Sequence, residues 1–270
     1  MSQLIELEPV TPRIGAIVHG VNLTKSLSDE MFQDLHDAWM QYLVLFFRDQ
    51  PMTPDQHLEF GRRFGELHIH PAAPYCHNNP ELMKIHTDRH SLRNNGEGWH
   101  SDVSADEEPP MASILHMHRT PSNGGDTLWA NMYDAYEALS QPMRDFLEPL
   151  TAFHSMNYTG YYGDHKPQRE NPQAEHPVIR VHPVTRQRAL YVNSGFTKRI
   201  RGVSRVESDA LLQMLFEHVK NPTFHCRFKW YPDSVALWDN RCTQHMAVWD
   251  YFPETRSGIR VTVKGDKPFH

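Results

Sequence analysis

The segment FHCRFKWYPDSVALWDNRCTQHMAVWDYFPETRSGIRVTVKG, residues 224–265, contains three strand candidates in close succession. They are FHCRFKW (224–230), SVALWDN (234–240) and GIRVTVKG (258–265), and turn-forming residues separate them. Helical patterns occur early in the chain and in an insertion, whereas strand patterns dominate the second half. This distribution predicts a mainly β fold with helical insertions, built as a single β-sandwich or barrel.

The first part of the chain mixes strand and helix signals. A short strand pair is predicted over residues 13–23, a helix from about Ser28, and a buried strand at 43–47. The sequence TPDQ at 53–56 supplies an N-cap threonine, a proline at the first helical position and a capping-box glutamine. It predicts a second helix that runs to about Phe64.

The middle of the chain is less regular. Residues 66–99 contain several prolines and the run RNNGEG, which predict loops. Strands are predicted from residue 111 onward, interrupted by helices near 132–148. The sequence SRVE at 204–207 is a capping box, and it predicts a helix that reaches about Lys220.

Composition indicates one well-packed domain. A chain of 270 residues allows one large domain or two small ones, and 39% apolar residues are enough for a substantial core. The sequence has no internal repeat, low-complexity segment or obvious linker. We therefore predict a single domain over residues 1–270.

Charge and apolar patterning argue against several classes of partner. The net charge is -6 and no run of Lys or Arg stands out, which argues against nucleic-acid binding. The N-terminus, MSQLIELEPV, does not read as a signal peptide, and the longest apolar run (43–47) is too short for a bilayer. The odd number of cysteines, Cys76, Cys226 and Cys242, argues for a reducing cytoplasm.

The sequence WHSDVS (99–104) places His100 and Asp102 two residues apart. On a strand such residues share a face, so the pair could bind one metal ion, or it could be only a polar edge. His245, which closely follows the strand at 234–240, is the best third ligand. Two imidazoles and a carboxylate form the facial triad of non-haem Fe(II) oxygenases. An HxD pair alone is a weak motif, and one more histidine adds little in a chain with 19.

Two arginines after His245 strengthen the metal hypothesis. Arg256 lies eleven residues after His245, and Arg260 lies four residues further along, in or beside a predicted strand. The planar guanidinium binds carboxylates with two hydrogen bonds, as a dicarboxylate cosubstrate such as 2-oxoglutarate would require. The alternative is that both arginines form surface salt bridges.

Six segments, in chain order, resemble the taurine dioxygenase family of Fe(II)/2-oxoglutarate-dependent oxygenases. They are IGAIVHGVNLTKSLSD (14–29), FGELHIHP (64–71), WHSDVS (99–104), GGDTLWAN (124–131), HPVIRVHPVTRQRALYVNSGFTKRI (176–200) and ALWDNRCTQHMAVWDYFPETRSGIRVTVKGDKPF (236–269). The similarity covers nearly the whole chain. It implies a double-stranded β-helix, or jelly-roll, core and a cytoplasmic enzyme that is a homo-oligomer, either a dimer or a tetramer.

The resemblance assigns a metal site and a cosubstrate site. His100, Asp102 and His245 match the ligands of Fe(II). Thr127 and Arg256 match the residues that hold the cosubstrate 2-oxoglutarate, and O2 is the second cosubstrate. No catalytic side chain beyond the iron site is implied.

The resemblance also assigns a substrate pocket. Arg260 matches the arginine that binds the sulfonate of the substrate in taurine-type members. His70 matches a histidine that lines the pocket, and Phe196 matches an aromatic wall.

Two positions depart from the family pattern, and both concern the substrate pocket. Ala73 stands where members with taurine activity have a tyrosine. Gly96 stands where they have an asparagine, although Asn94 and Asn95 lie close, and Asn95 is our candidate for that role. The smaller residue at position 73 suggests room for a substrate bulkier than taurine.

The resemblance implies that oxidation of 2-oxoglutarate to succinate and CO2 drives hydroxylation of a small anionic substrate. A taurine-like sulfonate, whose C–S bond breaks after hydroxylation, is the leading substrate class. The same chemistry on a bulkier carboxylate, sulfate or secondary metabolite, with hydroxylation, ether cleavage or desaturation, is the alternative. A non-catalytic metal-binding jelly-roll protein is an alternative of another class, which Thr127 and Arg256 argue against.

Two further features have open interpretations. Asp239 and Asn240 are candidates for orienting His245, or they form a turn. The segment 156–171, rich in Tyr and Gly, is a candidate lid over the substrate, or merely an exposed loop.

Overall fold

The computed structural model describes residues 4–94, 96–159, 161–162, 167 and 169–270. The helices are Asp29–Tyr42 (α1), Pro54–Arg62 (α2), Met132–Glu137 (α3), Gln141–Leu147 (α4) and Arg205–Val219 (α5). The strands are Glu6–Pro9 (β1), Ala16–His19 (β2), Val44–Phe47 (β3), Leu67–His68 (β4), Tyr75–Cys76 (β5), Asn79–Thr87 (β6), Ala112–Arg119 (β7), Thr127–Asn131 (β8), Thr151–Ser155 (β9), Gln173–Pro177 (β10), Ile179–Val181 (β11), Arg188–Leu190 (β12), Thr197–Ile200 (β13), His225–Phe228 (β14), Ser234–Asp239 (β15), Thr243–Ala247 (β16) and Arg256–Val263 (β17).

A nine-stranded sheet forms the largest layer of the fold. Its order is β1-β2-β3-β15-β7-β17-β6-β5, and β4 pairs with β17 beside this path. All pairs in this sheet are antiparallel except β2 with β3. The central strand β7 lies between β15 and β17, which come from a much later part of the chain, so this layer depends on long-range pairing.

A three-stranded sheet of order β14-β8-β16 forms the second layer. Residues of both layers line one cavity, with Leu115 and Arg260 on the large sheet and Thr127 and His245 on the small one. The predicted class, a mainly β fold with a jelly-roll core and helical insertions, is confirmed. The site described below lies between the two sheets.

Capping contacts define the predicted helix starts. Thr53 and Gln56 form a reciprocal capping box at α2, in which the Thr53 N–H donates to Gln56 Oε1 at 2.8 Å. Ser204 and Glu207 do the same at α5. These contacts satisfy backbone N–H groups that have no partner within the helix. The helical region predicted near 132–148 forms two short helices, α3 and α4.

The prediction of loops over residues 66–99 is wrong in part. Strand β6, Asn79–Thr87, lies within this range and pairs with β17. Pro80 did not prevent the strand, because it precedes Met83, where pairing with β17 begins, and lies beside the irregular pairing with β5. The overlooked signal is the alternation of Met83, Ile85 and Thr87 with polar neighbours, a period of two.

The strand pair predicted within residues 13–23 is also corrected. Only β2 lies in that range, and its partner is the earlier strand β1, with Glu6 opposite His19. The connection turns back through a hydrogen bond from Val10 N to Gly15 O at 2.8 Å. Gly15 has a φ of 83°, which favours glycine, so it closes this hairpin instead of separating two later strands.

Aromatic side chains of the core continue to the walls of the site. Phe46 stacks on Phe228 with ring centroids 4.0 Å apart and meets Trp129 edge-on at 5.3 Å. Trp129 and Trp238 are fully buried and contact each other and His245. Core packing therefore limits the movement of this histidine.

No helix in the described part of the chain is long and apolar enough to cross a membrane.

Two buried histidines lead us to expect a loss of stability in mild acid. Burial lowers the pKa of His57 to about 3 and that of His176 to about 4, whereas both titrate near about 6.5 in an unfolded chain. Below that pH the unfolded state binds protons that the folded state does not. The free energy of unfolding should therefore decrease by about 1.4 kcal/mol per pH unit for each histidine as pH falls from about 6.5 towards about 4.

Urea unfolding at about pH 7.5 and about pH 5.5 measures this effect. We expect His57→Leu to show a smaller difference between the two pH values than the wild type, by about 1 kcal/mol. The same pH dependence in both proteins would contradict the assignment to His57.

Candidate active site

A cavity of about 430 Å³ lies between the two sheets. It brings together most residues predicted for the metal, cosubstrate and substrate sites. These are His70, His100, Asp102, Thr127, Phe196, His245, Arg256 and Arg260. Asn95 lies outside the described residues, while its neighbours Asn94 and Gly96 line the cavity.

His100, Asp102 and His245 form a compact cluster of potential metal ligands. Asp102 Oδ1 lies 3.8 Å from His100 Nε2 and 3.9 Å from His245 Nε2. The candidate ligand atoms all lie within 4.8 Å of one another. Two imidazoles and one carboxylate at this spacing are suited to a divalent iron ion.

The local structure of the cluster differs from the prediction. His100 forms only an isolated β-bridge with His245, through backbone N–H to carbonyl distances of 3.1 and 2.8 Å, and Asp102 lies in the turn that follows. His245 lies inside β16, not just beyond the end of β15. The bridge to β16 and the turn at Asp102 therefore bring the ligands together, not a shared strand face.

The electrostatics of the cluster prepare it for a cation. Burial lowers the pKa of His100 and, more strongly, that of His245, so both imidazoles are neutral near pH 7. His100 Nδ1 lies 2.8 Å from the carbonyl of Gly98, to which it donates, so Nε2 keeps its lone pair. Burial alone would raise the pKa of Asp102, but Arg260 and the two histidines hold it well below its usual range.

Arg256 is buried beside the cluster and, among the described residues, forms no ion pair with a carboxylate. Its Nε donates to Gly125 O at 3.0 Å and its Nη2 to Thr127 Oγ1 at 3.3 Å. Thr127 Oγ1 also accepts a bond of 2.9 Å from Trp230 Nε1. Burial lowers the pKa of Arg256. A buried guanidinium without an acid is costly, so this position fits a carboxylate brought by a ligand.

Arg260 contacts the carboxylate of the cluster. Its Nη1 donates to Asp102 Oδ1 at 2.5 Å, and its Nη2 contacts the Met83 sulfur at 3.0 Å. Its Nε is buried and has no hydrogen-bond partner within the described ranges. One donor of this arginine is therefore available to an anion next to the cluster.

His70 and a group of tyrosines form another wall of the cavity. The His70 ring lies 5.2 Å from Tyr158 and 5.8 Å from Tyr162, measured between ring centroids. Burial lowers the pKa of His70 strongly, and the Arg260 charge adds to this effect. Its Nδ1 accepts the backbone N–H of Ala73 at 2.8 Å. Ala73 is not among the residues that line the cavity, and the room expected from its small side chain stays a prediction.

The segment 156–171 contributes directly to the cavity. Met156, Tyr158, Tyr161 and Tyr162 line it. Residues 160, 163–166 and 168 of this segment lie outside the described residues, and its role as a lid stays a prediction. The composition of the segment indicated many tyrosines. It did not indicate which of them line the cavity.

Asp239 and Asn240 do not contact His245, which corrects the suggestion that they orient it. Asp239 Oδ2 accepts from His182 Nε2 at 3.0 Å and from Arg241 at 2.7 Å. Asn240 instead contacts Asp102, because the Asp102 N–H points at Asn240 Oδ1 at 3.4 Å. The turn between β15 and β16 thus supports the carboxylate of the cluster, not its second imidazole.

In the described part of the chain, two other groups of potential metal ligands lie away from the cavity. One consists of His116, His118 and Asp233, with His116 Nε2 3.3 Å from Asp233 Oδ1. The other consists of His182, Asp239 and Cys242, where Arg241 already neutralises the carboxylate. The cluster in the cavity differs from both groups in one respect. Arg256, a buried arginine that forms no ion pair with a carboxylate among the described residues, lines the same cavity.

A jelly-roll core that holds two imidazoles and a carboxylate in one cavity with a buried arginine, one that forms no ion pair among the described residues, is typical of non-haem iron oxygenases. A model of the taurine catabolism dioxygenase TauD, TfdA family matches residues 6–262. The chain belongs to this family. Its membership confirms the predicted enzyme class, a 2-oxoglutarate-dependent non-haem iron dioxygenase.

Individual relatives are similar over almost the whole chain. The alpha-ketoglutarate-dependent sulfonate dioxygenase of Saccharomyces cerevisiae is 35% identical, over 98% of this chain and 68% of its own length. The alpha-ketoglutarate-dependent sulfate ester dioxygenase of Pseudomonas putida is 36% identical, over 98% of this chain and 91% of its own. The crystal structure of a taurine dioxygenase from Burkholderia xenovorans has a TM-score of 0.87 and 40% identity, covering 98% of this chain and 92% of the other.

The site fits the cofactor and cosubstrates of this enzyme class. The neutral imidazoles of His100 and His245 and the ionised carboxylate of Asp102 are suitable ligands for Fe(II). Arg256, which forms no ion pair with an acid among the residues described, suits the distal carboxylate of 2-oxoglutarate. Residues of this chain can therefore hold both groups, and O2 is the remaining cosubstrate.

Proposed function

We propose that the protein hydroxylates a small organic sulfonate or sulfate ester, with consumption of O2 and 2-oxoglutarate and release of succinate and CO2. In a sulfonate the C–S bond would break after hydroxylation of the adjacent carbon, and in a sulfate ester the C–O bond would break. The names of the yeast and Pseudomonas putida relatives support these two substrate classes.

The observation that carries the proposal is the position of Arg260. Its guanidinium adjoins Asp102, and its buried Nε has no partner among the described residues. Sulfonate and sulfate oxygens accept hydrogen bonds from arginine and would satisfy this donor. An anion held there would present its neighbouring carbon to the metal cluster.

Each predicted residue receives a role in this proposal. His100, Asp102 and His245 would hold Fe(II), which when bound supplies the activation of O2 at the expense of 2-oxoglutarate. Thr127 and Arg256 would orient 2-oxoglutarate through its distal carboxylate. Binding and orientation by the protein limit the reaction to one position of the substrate.

The pocket residues would surround the substrate. Arg260 would bind its anionic group, with His70, Phe196 and the predicted Asn95 at its sides. Phe196 lies 6.3 Å from His100 between ring centroids, close enough to confine a molecule at the cluster.

The remaining wall favours an organic group longer than that of taurine. Met83, Ile85, Leu115 and Met156 line the cavity with apolar surface, joined by the tyrosines. Apolar surface stabilises a bound alkyl or aryl group at about 25 cal/mol per Å² buried. A bulkier carboxylate or secondary metabolite is the alternative that this wall would also accept.

Succinate release tests the proposal. The anaerobic enzyme with Fe(II) and 2-oxoglutarate is titrated with sulfonates, sulfate esters, phosphonates and carboxylates, and the visible charge-transfer band is followed. We expect a sulfonate or sulfate ester to shift the band and, with O2, to stimulate succinate formation. A shift with carboxylates alone would favour the alternative, and no band with bound iron would contradict the whole assignment.

Arg260→Ala tests the anion site separately. We expect the KM of the preferred anion to rise about 100-fold, since loss of charge-assisted hydrogen bonds costs about 3 kcal/mol. Because Arg260 also contacts Asp102, Mn(II) affinity is measured in parallel. Arg205→Ala, on the exposed face of α5, is the matched control. An unchanged KM for Arg260→Ala would remove this arginine from the substrate site.

We also propose that residues 1–270 form a single domain and that the protein is a cytoplasmic homo-oligomer, a dimer or tetramer. The family match over residues 6–262 supports one domain. Free thiols at Cys76, Cys226 and Cys242 are compatible with a reducing compartment. Light scattering of the purified protein distinguishes a monomer from the proposed oligomers.

A further inference from the structure

The two carboxylate oxygens of Asp102 have different surroundings. Oδ1 lies between the Nε2 atoms of His100 and His245, at 3.8 and 3.9 Å. Oδ2 points away from them and accepts a hydrogen bond of 2.7 Å from Ser113 Oγ. Oδ1 therefore faces the two histidines, and it also accepts a hydrogen bond of 2.5 Å from Arg260 Nη1, whereas Oδ2 is held by Ser113.

The direction of the bond from Ser113 follows from a chain of donors. Trp238 Nε1 can only donate, and it lies 2.9 Å from Asn240 Oδ1. This contact establishes which side of the Asn240 amide is the oxygen. Asn240 Nδ2 then faces Ser113 Oγ at 2.9 Å and donates to it. The single proton of the Ser113 hydroxyl is left for Asp102 Oδ2.

Ser113 and Asn240, the residues of this hydrogen-bond chain, are held rigidly. Ser113 lies in β7, between Trp238 of β15 and Thr262 of β17. Asn240 donates its backbone N–H to Met111 O at 2.9 Å. Ser113 and Asn240 are no more than 1% exposed, so water does not compete for their hydrogen bonds.

We propose that Ser113 and Asn240 are positioning residues that limit Asp102 to one metal-binding oxygen. Trp238 sets the orientation of the Asn240 amide, and the amide sets the direction of the Ser113 hydroxyl. A carboxylate that used both oxygens would occupy a further coordination position, one that the cosubstrates need. This inference rests on the proposed function, because it requires a metal ion at the cluster.

Mn(II) binding to the metal-free protein tests the inference without turnover. Ser113→Ala removes the hydroxyl and little volume. Asn240→Asp keeps an oxygen for Trp238 but replaces the amide donor by an acceptor, which lets the Ser113 proton turn away from Asp102. We expect both variants to bind Mn(II) about 10-fold more weakly or worse, as is usual when partners of metal ligands are removed.

Ser208→Ala is the matched control. Ser208 is also fully buried and its Oγ also has a hydrogen bond, from Ile200 N at 2.9 Å, but it lies on α5, away from the cavity. We expect it to leave the Kd for Mn(II) within about 2-fold of the wild-type value. The charge-transfer band of the Fe(II)–2-oxoglutarate protein should shift in the two test variants only.

The possible results separate this inference from the proposed function. Wild-type protein that binds no Mn(II) would contradict the metal site itself. Wild-type binding together with unchanged Kd and unchanged band in Ser113→Ala and Asn240→Asp would overturn only the positioning role. Thermal unfolding of each variant shows that the protein measured is folded.

Discussion

His245→Gln is expected to abolish succinate formation and to weaken Mn(II) binding about 100-fold. Structural metal sites with four ligands bind with about 10–16 kcal/mol, so one ligand contributes about 3 kcal/mol. Glutamine keeps most of the volume that packs against Trp129 and Trp238, but its amide is a poor ligand for a divalent ion. Isothermal titration with Mn(II) and a succinate assay measure the two effects.

His118→Gln is the control for this experiment. His118 belongs to the cluster with His116 and Asp233, at the end of β7 and outside the cavity. The same substitution there should leave both Mn(II) affinity and succinate formation unchanged. Equal losses in the two variants would mean that the cavity cluster is not the functional metal site.

Arg256→Met is expected to raise the Kd of 2-oxoglutarate about 100-fold while Mn(II) affinity is retained. Removal of one partner of a buried ion pair costs about 3–5 kcal/mol, and about 1.4 kcal/mol corresponds to a factor of ten. Methionine fills similar space without charge or donors. The Kd is measured anaerobically from the charge-transfer band of the Fe(II) protein.

Without 2-oxoglutarate, Arg256→Met is expected to be at least as stable as the wild type. Arg256 is buried and, within the described ranges, forms no ion pair with a carboxylate. Burial outweighs the favourable charge of the nearby Asp126, so the guanidinium destabilises the protein when 2-oxoglutarate is not bound. Arg256→Met should therefore unfold at a temperature equal to or higher than the wild type, and added 2-oxoglutarate should no longer stabilise it.

Arg188→Met, which removes an exposed arginine paired with Glu148, is the control. It should keep the wild-type affinity for 2-oxoglutarate and the stabilisation by this ligand. If Arg256→Met still bound 2-oxoglutarate with wild-type affinity, the cosubstrate carboxylate would have to bind elsewhere in the cavity.

Local sequence signals were sufficient for the helices and for some of the strands, namely β2, β3, β14, β15 and β17. The capping boxes at Thr53 and Ser204 involve residues only three apart, so the information needed is contained within one helical turn. The same holds for the strand at 234–240, whose apolar run reflects burial on both faces. Strand β6 was missed because Pro80 and the surrounding turn residues concealed a period of two.

The residues of the candidate active site could also be predicted from the sequence. His100, Asp102, His245 and Arg256 carry side chains that metals and carboxylates require, and the resemblance placed them in one site. The structure brings them to one cavity, while their roles stay predictions. Local reasoning could not explain how they meet, and the assumed strand through His100 and Asp102 was wrong.

Only the tertiary structure decided which neighbours support these residues. Asp102 accepts hydrogen bonds from Ser113 on β7 and Arg260 on β17, and the rings that pack against His70 belong to Tyr158 and Tyr162. Asn240 supports the carboxylate and not His245, although it is much closer to His245 along the chain. Such contacts join residues far apart in sequence, and they arise from the pairing of β7, β15 and β17. Periodicity within one segment contains no information about that pairing, whereas residue type and local caps are properties of the segment itself.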